Sequence, residues 1–407
     1  MKSLSIIKRL LFFAYLFLPM GLIAQVEFRG KVLDSSSQSG VSHASVFLIG
    51  STIGISTDDN GFFSLLIPDG NYEVMVRLVG YTPKLFSLST LDINPDGYKI
   101  FLNPSYQELD FLEVEEQRDP IWYENLSLFK QYFLGKTKNG KETSILNQNI
   151  LRLDSESVPL TLQVNAHDVL QIENPNLGYR VEYLLEEFTY STEKGTFFYS
   201  GFSRFIPDST LKRSKGKRIE SNRKQAYLGS MQHLIGSLYD GTAEDEGFEF
   251  RSIERLKNPE RPEQSLIDEA KIRYAQSSNR EEKDSLKRNF LRKERISPFV
   301  NEVKENSVPS GNLVRIDFDR DGRKFLNFED LLHVTYTKEM ETDEYLNQFR
   351  PKKPGWQQSI LRLGSREIEI FHNGTYGDRS GIFLEGYLGW EKIGDLMPLD
   401  YSYKRQY

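Results

Sequence analysis

Five histidines, His43, His167, His233, His333 and His372, are the obvious starting points for chemistry in this chain. A hydrolytic zinc centre needs two histidines and a glutamate converging on one ion, with a coordination position left for water. None of the five has Glu at the third position after it, and no two stand four apart. That ligand set is absent, so zinc peptidase chemistry is not expected. The chain has no cysteine. Disulfides, thiolate metal sites, a cysteine nucleophile and a lipid anchor on an N-terminal cysteine are therefore excluded.

Other clusters read more simply as structure. Ser230 and His233 stand three apart with Asp240 beyond, close enough to touch on a helix. A triad also needs an exposed nucleophile and donors aimed at an oxyanion, and no nucleophile elbow is present. Asp317, Asp319 and Asp321 with Gly322 imitate the start of a calcium loop, but the twelfth position is Phe328, and Glu329 comes one place late. Arg320-Asp321-Gly322-Arg323 lies between two strand patterns and predicts a hairpin turn. Glu186 and Glu187 are a carboxylate pair, but neighbours on a strand face opposite ways. Lys212, Arg213, Lys215, Lys217, Arg218, Arg223 and Lys224 form a basic stretch, read as a solvated loop opening a helix.

The elements that would carry these residues fall into two styles. From Val26 to about Asn103 short apolar runs alternate with turns. The strands cover Val26 to Leu33, Ala44 to Ile49, Phe62 to Ile67, Tyr72 to Val79 and Lys99 to Leu102. The turns are Asp34 to Gly40, Ser56 to Gly61, and Pro68-Asp69-Gly70. Asn60-Gly61 reads as a hairpin, because both residues tolerate positive φ. Gly80 before Tyr81 permits a sharp exit. Strands at this spacing without helices predict a sandwich.

The order Phe28-Arg29-Gly30-Lys31-Val32 with Asp34, Gly40, Ala44-Ser45-Val46, Gly54, Thr57-Asp58-Asp59-Asn60-Gly61-Phe62-Phe63, Pro68-Asp69-Gly70-Asn71-Tyr72 and Gly80-Tyr81 resembles the carboxypeptidase regulatory-like domain. The resemblance covers residues 26–103 and implies a transthyretin-like (prealbumin-like) β-sandwich. In true metallocarboxypeptidases such a sandwich accompanies a separate catalytic domain, which this sequence lacks.

Residues 104–144 predict a connector with one amphipathic helix, opened by Asp119-Pro120 and carrying Leu126, Phe129, Tyr132 and Phe133 at helical spacing. Residues 145–407 predict a β-rich α+β domain, a mainly antiparallel sheet covered by one or two helices. Leu160, Leu162, Val164 and Ala166 alternate, as do Tyr179, Val181 and Tyr183, and Thr196, Phe198 and Ser200. Further strands are expected over residues 313–318, 324–328, 333–337 and 360–371. One helix is expected from Ile219 to Tyr239, and a short helical segment from Trp390 to Leu396. The polar residues 251–306 predict one exposed helix flanked by loops, inserted into the domain.

This second part is similar to the C-terminal region of exported bacterial proteins known by their carboxypeptidase regulatory-like domain. The residues that carry the likeness are Asp119-Pro120 with Trp122, Phe133-Leu134-Gly135, Ile145-Leu146-Asn147, Ile172-Glu173-Asn174, Leu177-Gly178-Tyr179, Tyr227 with Gly229-Ser230 and His233, Gly247-Phe248, and Gly386-Tyr387 with Trp390-Glu391. The likeness implies an envelope location and no particular activity.

Residues 1–24 read as a secretory signal. Lys2, Lys8 and Arg9 precede an apolar run from Leu10 to Ile23, and small Ala24 stands before Gln25. No later run has the length needed to span a bilayer as a helix. Leu399, Tyr401, Tyr403 and Tyr407 alternate like the last strand of an outer-membrane barrel, but the band of long strands a barrel needs is missing. The net charge of −6 gives no general attraction to nucleic acid. The expectation is a non-catalytic envelope protein, periplasmic or at the surface. It should need no cofactor and should bind an envelope protein or glycan rather than nucleic acid, with the sandwich as a docking or bracing module. Tyr179, Tyr183, Tyr199, Trp356 and Trp390 are the candidate contacts, unless they are core rings. The alternative is a glycan- or peptide-directed envelope hydrolase with its active site in the second domain. Two buried carboxylates facing each other in a cleft would favour it, and a shallow aromatic face would favour binding.

Overall fold

The computed structural model describes residues 25–105, 118–209, 213–320, 322–348, 353–377 and 380–401, with residues 213–215 described by their backbone alone. The signal expected over residues 1–24 lies outside them, as do Lys212, Asp321, Tyr403 and Tyr407.

The N-terminal module is a two-sheet sandwich. One sheet joins the strands Phe62–Pro68, Gln25–Asp34, Tyr98–Pro104 and Tyr81–Thr82 in that order; the other joins Gly54–Ser56, Ser45–Leu48, Asn71–Arg77 and Lys84–Ser89. Pairing is antiparallel except between Gln25–Asp34 and Tyr98–Pro104, which run parallel from Gly30↔Tyr98 to Asp34↔Leu102. The inward residues Phe28, Val32, Val46, Leu48, Ile67, Val74 and Val76 form its core, so the period-two pattern of the sequence becomes the two faces of each strand. The Asn60-Gly61 turn is not a hairpin. Gly54–Ser56 and Phe62–Pro68 belong to different sheets, and the turn carries the chain around the corner between them. Gly61 has φ +83°, and a Cβ there would stand 2.5 Å from the Val32 carbonyl oxygen, so the corner requires glycine.

The second part is built of antiparallel sheets with a few helices, as expected, and among the described residues these form three sheets and two main cores. The helix Pro120–Phe133 begins where Asp119 caps it and Pro120 occupies the first turn. Its buried face, Leu126, Phe129 and Phe133, packs on a six-stranded sheet whose longest hairpin pairs Tyr179–Ser191 with Thr196–Pro207. The ring of Phe129 lies 4.8 Å from that of Phe188. The second core joins a five-stranded sheet with the three-stranded sheet formed by Val314–Asp317, Arg323–Leu326 and Ile368–Ile370. The hairpin expected around Gly322 is present, with Val314–Asp317 antiparallel to Arg323–Leu326.

Four expectations are corrected. The single helix over 219–239 is two helices, Arg213–Tyr227 and Met231–Asp240, because Gly229 turns the chain at φ +78° and Ser230 caps the second helix by accepting a hydrogen bond from the His233 amide. The basic stretch is therefore helical from Arg213 onward rather than a loop. Residues 251–306 are not one helix. The strand Phe248–Lys257 runs out of the five-stranded sheet, the helices Gln264–Gln276 and Arg280–Asn289 pack together at the far end, and the strand Phe299–Ser307 runs back. Only residues 248–253 of the outgoing strand also pair with Leu331–Met340, so the ribbon projects beyond the sheet as an arm. The C-terminal segment around Trp390 holds only the short 3-10 turn Ile393–Asp395.

The two parts are joined closely. Gly50 N–H donates to the Ser203 carbonyl at 2.6 Å, Phe205 N–H to the Ser51 carbonyl at 2.9 Å and Leu399 N–H to the Gly50 carbonyl at 2.8 Å. Asp400 accepts from the Thr52 amide at 2.8 Å and from its hydroxyl. Beside these bonds Phe47, Ile49 and Met75 of the sandwich pack against Leu184 and Phe202 of the long hairpin. Arg204 donates to the Ser45 hydroxyl and lies over the Phe47 ring, and Arg77 pairs with Asp168 at 3.1 Å. Gly50 has φ +77°, and a Cβ there would stand 3.1 Å from Leu399.

Candidate ligand cleft

Where the sandwich meets the second part, the two enclose a cavity of about 780 Å³. The sandwich contributes the turn Pro68 to Tyr72 and the loop Ser89 to Leu91. The second part contributes Tyr227, the exposed side of the helix Met231–Asp240, Phe371 to Asn373, and Leu399 to Tyr401. Clefts between domains are common ligand sites, because two rigid bodies supply walls that neither has alone.

Each wall follows from local sequence. Pro68-Asp69-Gly70 turns tightly, with the Thr90 hydroxyl bonded to Asp69 and accepting from the Gly70 amide. The helix Met231–Asp240 buries Leu234, Ile235 and Leu238. It therefore turns Gln232, Gly236 and Tyr239 to the cavity. It ends at Gly241, left-handed at φ +69°. Gly374, at φ +83°, lies so close to the Gln232 carbonyl that a Cβ would stand 2.3 Å from it. That contact fixes the His372-Asn373 loop against the helix.

The lining carries four carboxylates, Asp69, Asp240, Glu246 and Asp400, and two imidazoles, His233 and His372, but no lysine or arginine. Tyr72, Tyr227, Tyr239, Phe371 and Tyr401 supply aromatic surface. His372 Nδ1 lies 3.0 Å from Asp240 Oδ1. The Asp240 hydrogen bond raises the imidazole above its usual range, with Asp69 across the cavity adding to the effect. Buried His233 accepts from the Gly229 amide at Nδ1 and places Nε2 3.5 Å from Glu246, which assigns the proton to Nε2. Burial and the Asp69 charge push the Tyr72 phenol up to about 12. Asn373 Nδ2 is buried without a hydrogen-bond partner.

The serine and threonine hydroxyls of this lining are committed elsewhere. Ser237 donates to the Leu234 carbonyl, Thr90 to Asp69, and Ser89 caps the turn that begins at Thr90. Ser230 caps its helix and donates to the Tyr227 carbonyl. Ser230, His233 and Asp240 therefore do not form a relay: Asp240 faces His372, and His233 faces Glu246. Among the described residues no group of three or more His, Asp or Glu side chains is placed to hold a metal ion. Of the remaining histidines, His43 is exposed beside Asp59, His167 contacts the Ile150 carbonyl, and His333 is buried in the five-stranded sheet.

The five aromatic contacts expected from sequence do not line the cavity. Tyr179 and Tyr183 are buried in the first core of the second part, and Tyr199 packs against Phe133 at its edge. Trp390 is buried against Tyr345, while Trp356 is 46% exposed on a different sheet. Arg223 of the basic stretch is structural: its guanidinium lies 4.1 Å from the Tyr179 ring centroid and donates to the Leu177 carbonyl. The residues that build the cleft were missed because they come from four separate stretches, 68–72, 89–91, 227–246 and 371–401. The aromatic and acidic content of those stretches was the only available signal.

With this geometry in hand, residues 28–114 match the family model described as the CarboxypepD_reg-like domain. The chain carries a carboxypeptidase regulatory-like domain. All but Gln25 to Glu27 of the two sandwich sheets lies within the matched span, and so do all the cleft residues that the sandwich supplies. No curated protein matches the chain. Among solved structures it is similar to a 9R-lipoxygenase from Cyanothece PCC8801, at 12% identity and a TM-score of 0.15, over 53% of this chain and 48% of that one. The chain spans about half the length of that enzyme, and a TM-score so low does not establish a common fold. Among the described residues no helix is long and apolar enough to cross a membrane.

Proposed function

We propose that this is a non-catalytic, exported protein of the cell envelope, in which the carboxypeptidase regulatory-like domain braces the second part and shares with it a cleft for a glycan. The observation that carries the reading is the cavity itself, walled on one side by the sandwich turns and on the other by the helix Met231–Asp240 and the loops of the second part. Tyrosine faces suit the apolar faces of sugar rings, and carboxylates and amides suit their hydroxyls. A lining with four carboxylates and no lysine or arginine disfavours anionic polymers. Export is supported by the basic, apolar and small-residue order of residues 2–25.

The test is calorimetric titration of the mature chain with neutral envelope oligosaccharides, repeated with Tyr239→Ala and Asp69→Asn. Saturable binding that both variants weaken supports the reading. Binding that neither variant changes sinks it. The hydrolase alternative keeps two observations in its favour, the carboxylates of the cleft lining and the His372–Asp240 pair facing the cavity. Turnover of a glycan or peptide that His372→Gln abolishes would replace the binding role with that one.

A further inference from the structure

The arm carries a second concavity, remote from the cleft in sequence and opposite in charge. It is open, of about 620 Å³, and lined by Tyr274, Lys287, Leu291, Arg292 and Arg295. These residues come from both helices of the arm and the turn Leu291–Arg295. The helices are held together by Ile267, Ala270 and Leu286, all buried. Several charges around them are satisfied internally. Arg273 pairs with Glu282 at 3.0 Å, Lys271 with Glu294 at 2.5 Å, and Arg261 donates to Gln264. Lys283 lies over the Tyr274 ring. The three cations of the concavity are different. Lys287, Arg292 and Arg295 make no side-chain hydrogen bond or ion pair among the described residues, and no carboxylate is in the lining.

We infer that this concavity binds the phosphate group of a phosphate-bearing ligand. Three cations around one hollow repel each other until a polyvalent anion enters. A carboxylate neutralises only one of them, whereas a phosphate monoester carries close to two charges and three acceptor oxygens. Two guanidinium forks match those oxygens in pairs, and the Tyr274 ring and Leu291 offer a flat apolar floor for whatever the phosphate is attached to. The ribbon leading to the site exposes Leu256, Phe299 and Val300.

The test uses the full mature chain with inorganic phosphate as one probe and phosphatidic acid vesicles as the other, against phosphatidylcholine vesicles. The double variant R292Q/R295Q removes the forks. Its cations are exposed, so its melting temperature should match the parent's. The control R255Q/K257Q removes two charges from the ribbon outside the hollow. The expected result is binding that the first variant weakens at least about tenfold and the control leaves unchanged. Binding of phosphate without vesicles supports the site with a soluble phosphate ester as its source, and binding of both supports a lipid headgroup. No binding of either probe, or equal losses in variant and control, overturns the inference.

Discussion

The cleft and the arm are built in opposite ways. Around the cleft, side chains are buried and committed: Leu234 and Ile235 are fully buried behind one wall, and the lining hydroxyls are held by neighbouring groups. On the arm most side chains are exposed, ion pairs sit on the surface, and a small apolar contact holds two helices together. The body gains its shape from packing, which fixes geometry. The arm gains little from packing and leaves cations free. The difference teaches that the same chain can present an acidic cavity between packed walls in one place and an exposed basic hollow in another.

Four measurements sharpen or break that contrast. The largest effect is expected at Leu234→Ala, behind the cleft wall, where burial predicts a loss of about 2–5 kcal/mol in chemical denaturation. Val300→Ala on the ribbon, 45% exposed, should cost under about 0.5 kcal/mol. Similar costs at both sites would erase the distinction between body and arm.

Next comes pH. Burial pushes the Glu339 carboxyl up to about 7 from 4.5, and the Asp395 carboxyl up to about 6 from 3.8. In that window the folded state holds protons that the unfolded chain has released. Stability therefore falls as pH rises from about 4 to 7, by on the order of 2 kcal/mol for Glu339, and Glu391, also pushed up by burial, acts in the same sense. His333, pushed down by burial, works in the opposite sense on the acid side. Glu339→Gln should remove part of the dependence between pH 5 and 7, the rest coming from Asp395 and from Glu391; a slope identical to the parent's would refute the assignment.

A smaller loss is expected at the joint between the two parts. Asp400→Ala removes the acceptor for the Thr52 amide and hydroxyl and should cost about 1–3 kcal/mol. It should also weaken any cleft ligand, because Asp400 lines the cavity. Full stability together with full binding would show that the sandwich does not brace its neighbour. The smallest effect belongs to the arm: Lys271→Gln breaks the pair with Glu294 and should leave the melting temperature where it was.

How much of this was legible in the sequence depends on the kind of signal. Asp119-Pro120 marked a helix start correctly because capping is a local event. Five sandwich strands were legible because one face of each is buried, whereas Gly54–Ser56, Tyr81–Thr82 and Lys84–Ser89, with little or nothing buried, were missed. The Asn60-Gly61 turn was misassigned because a turn sequence states a backbone conformation and not the sheet to which the chain returns. The break at Gly229-Ser230 did carry a signal, a glycine followed by a cap residue, but the apolar spacing continued across it. The strand Phe299–Ser307 was missed because it is exposed along nearly its whole length, so no inward face imposes a period of two. The cleft was not legible, since proximity between residues 69 and 372 is a property of the fold alone.

The bond between Thr52 and Asp400 joins residues 348 apart in the chain. Residues 50–52 of the sandwich act as a hook and residues 399–401 as its catch, so nearly the whole chain lies in the loop that this joint closes. Contacts at such separation in the chain slow folding. Without them the wall of the cleft formed by residues 399–401 is unset, so the cavity takes its shape only where these two distant stretches have met.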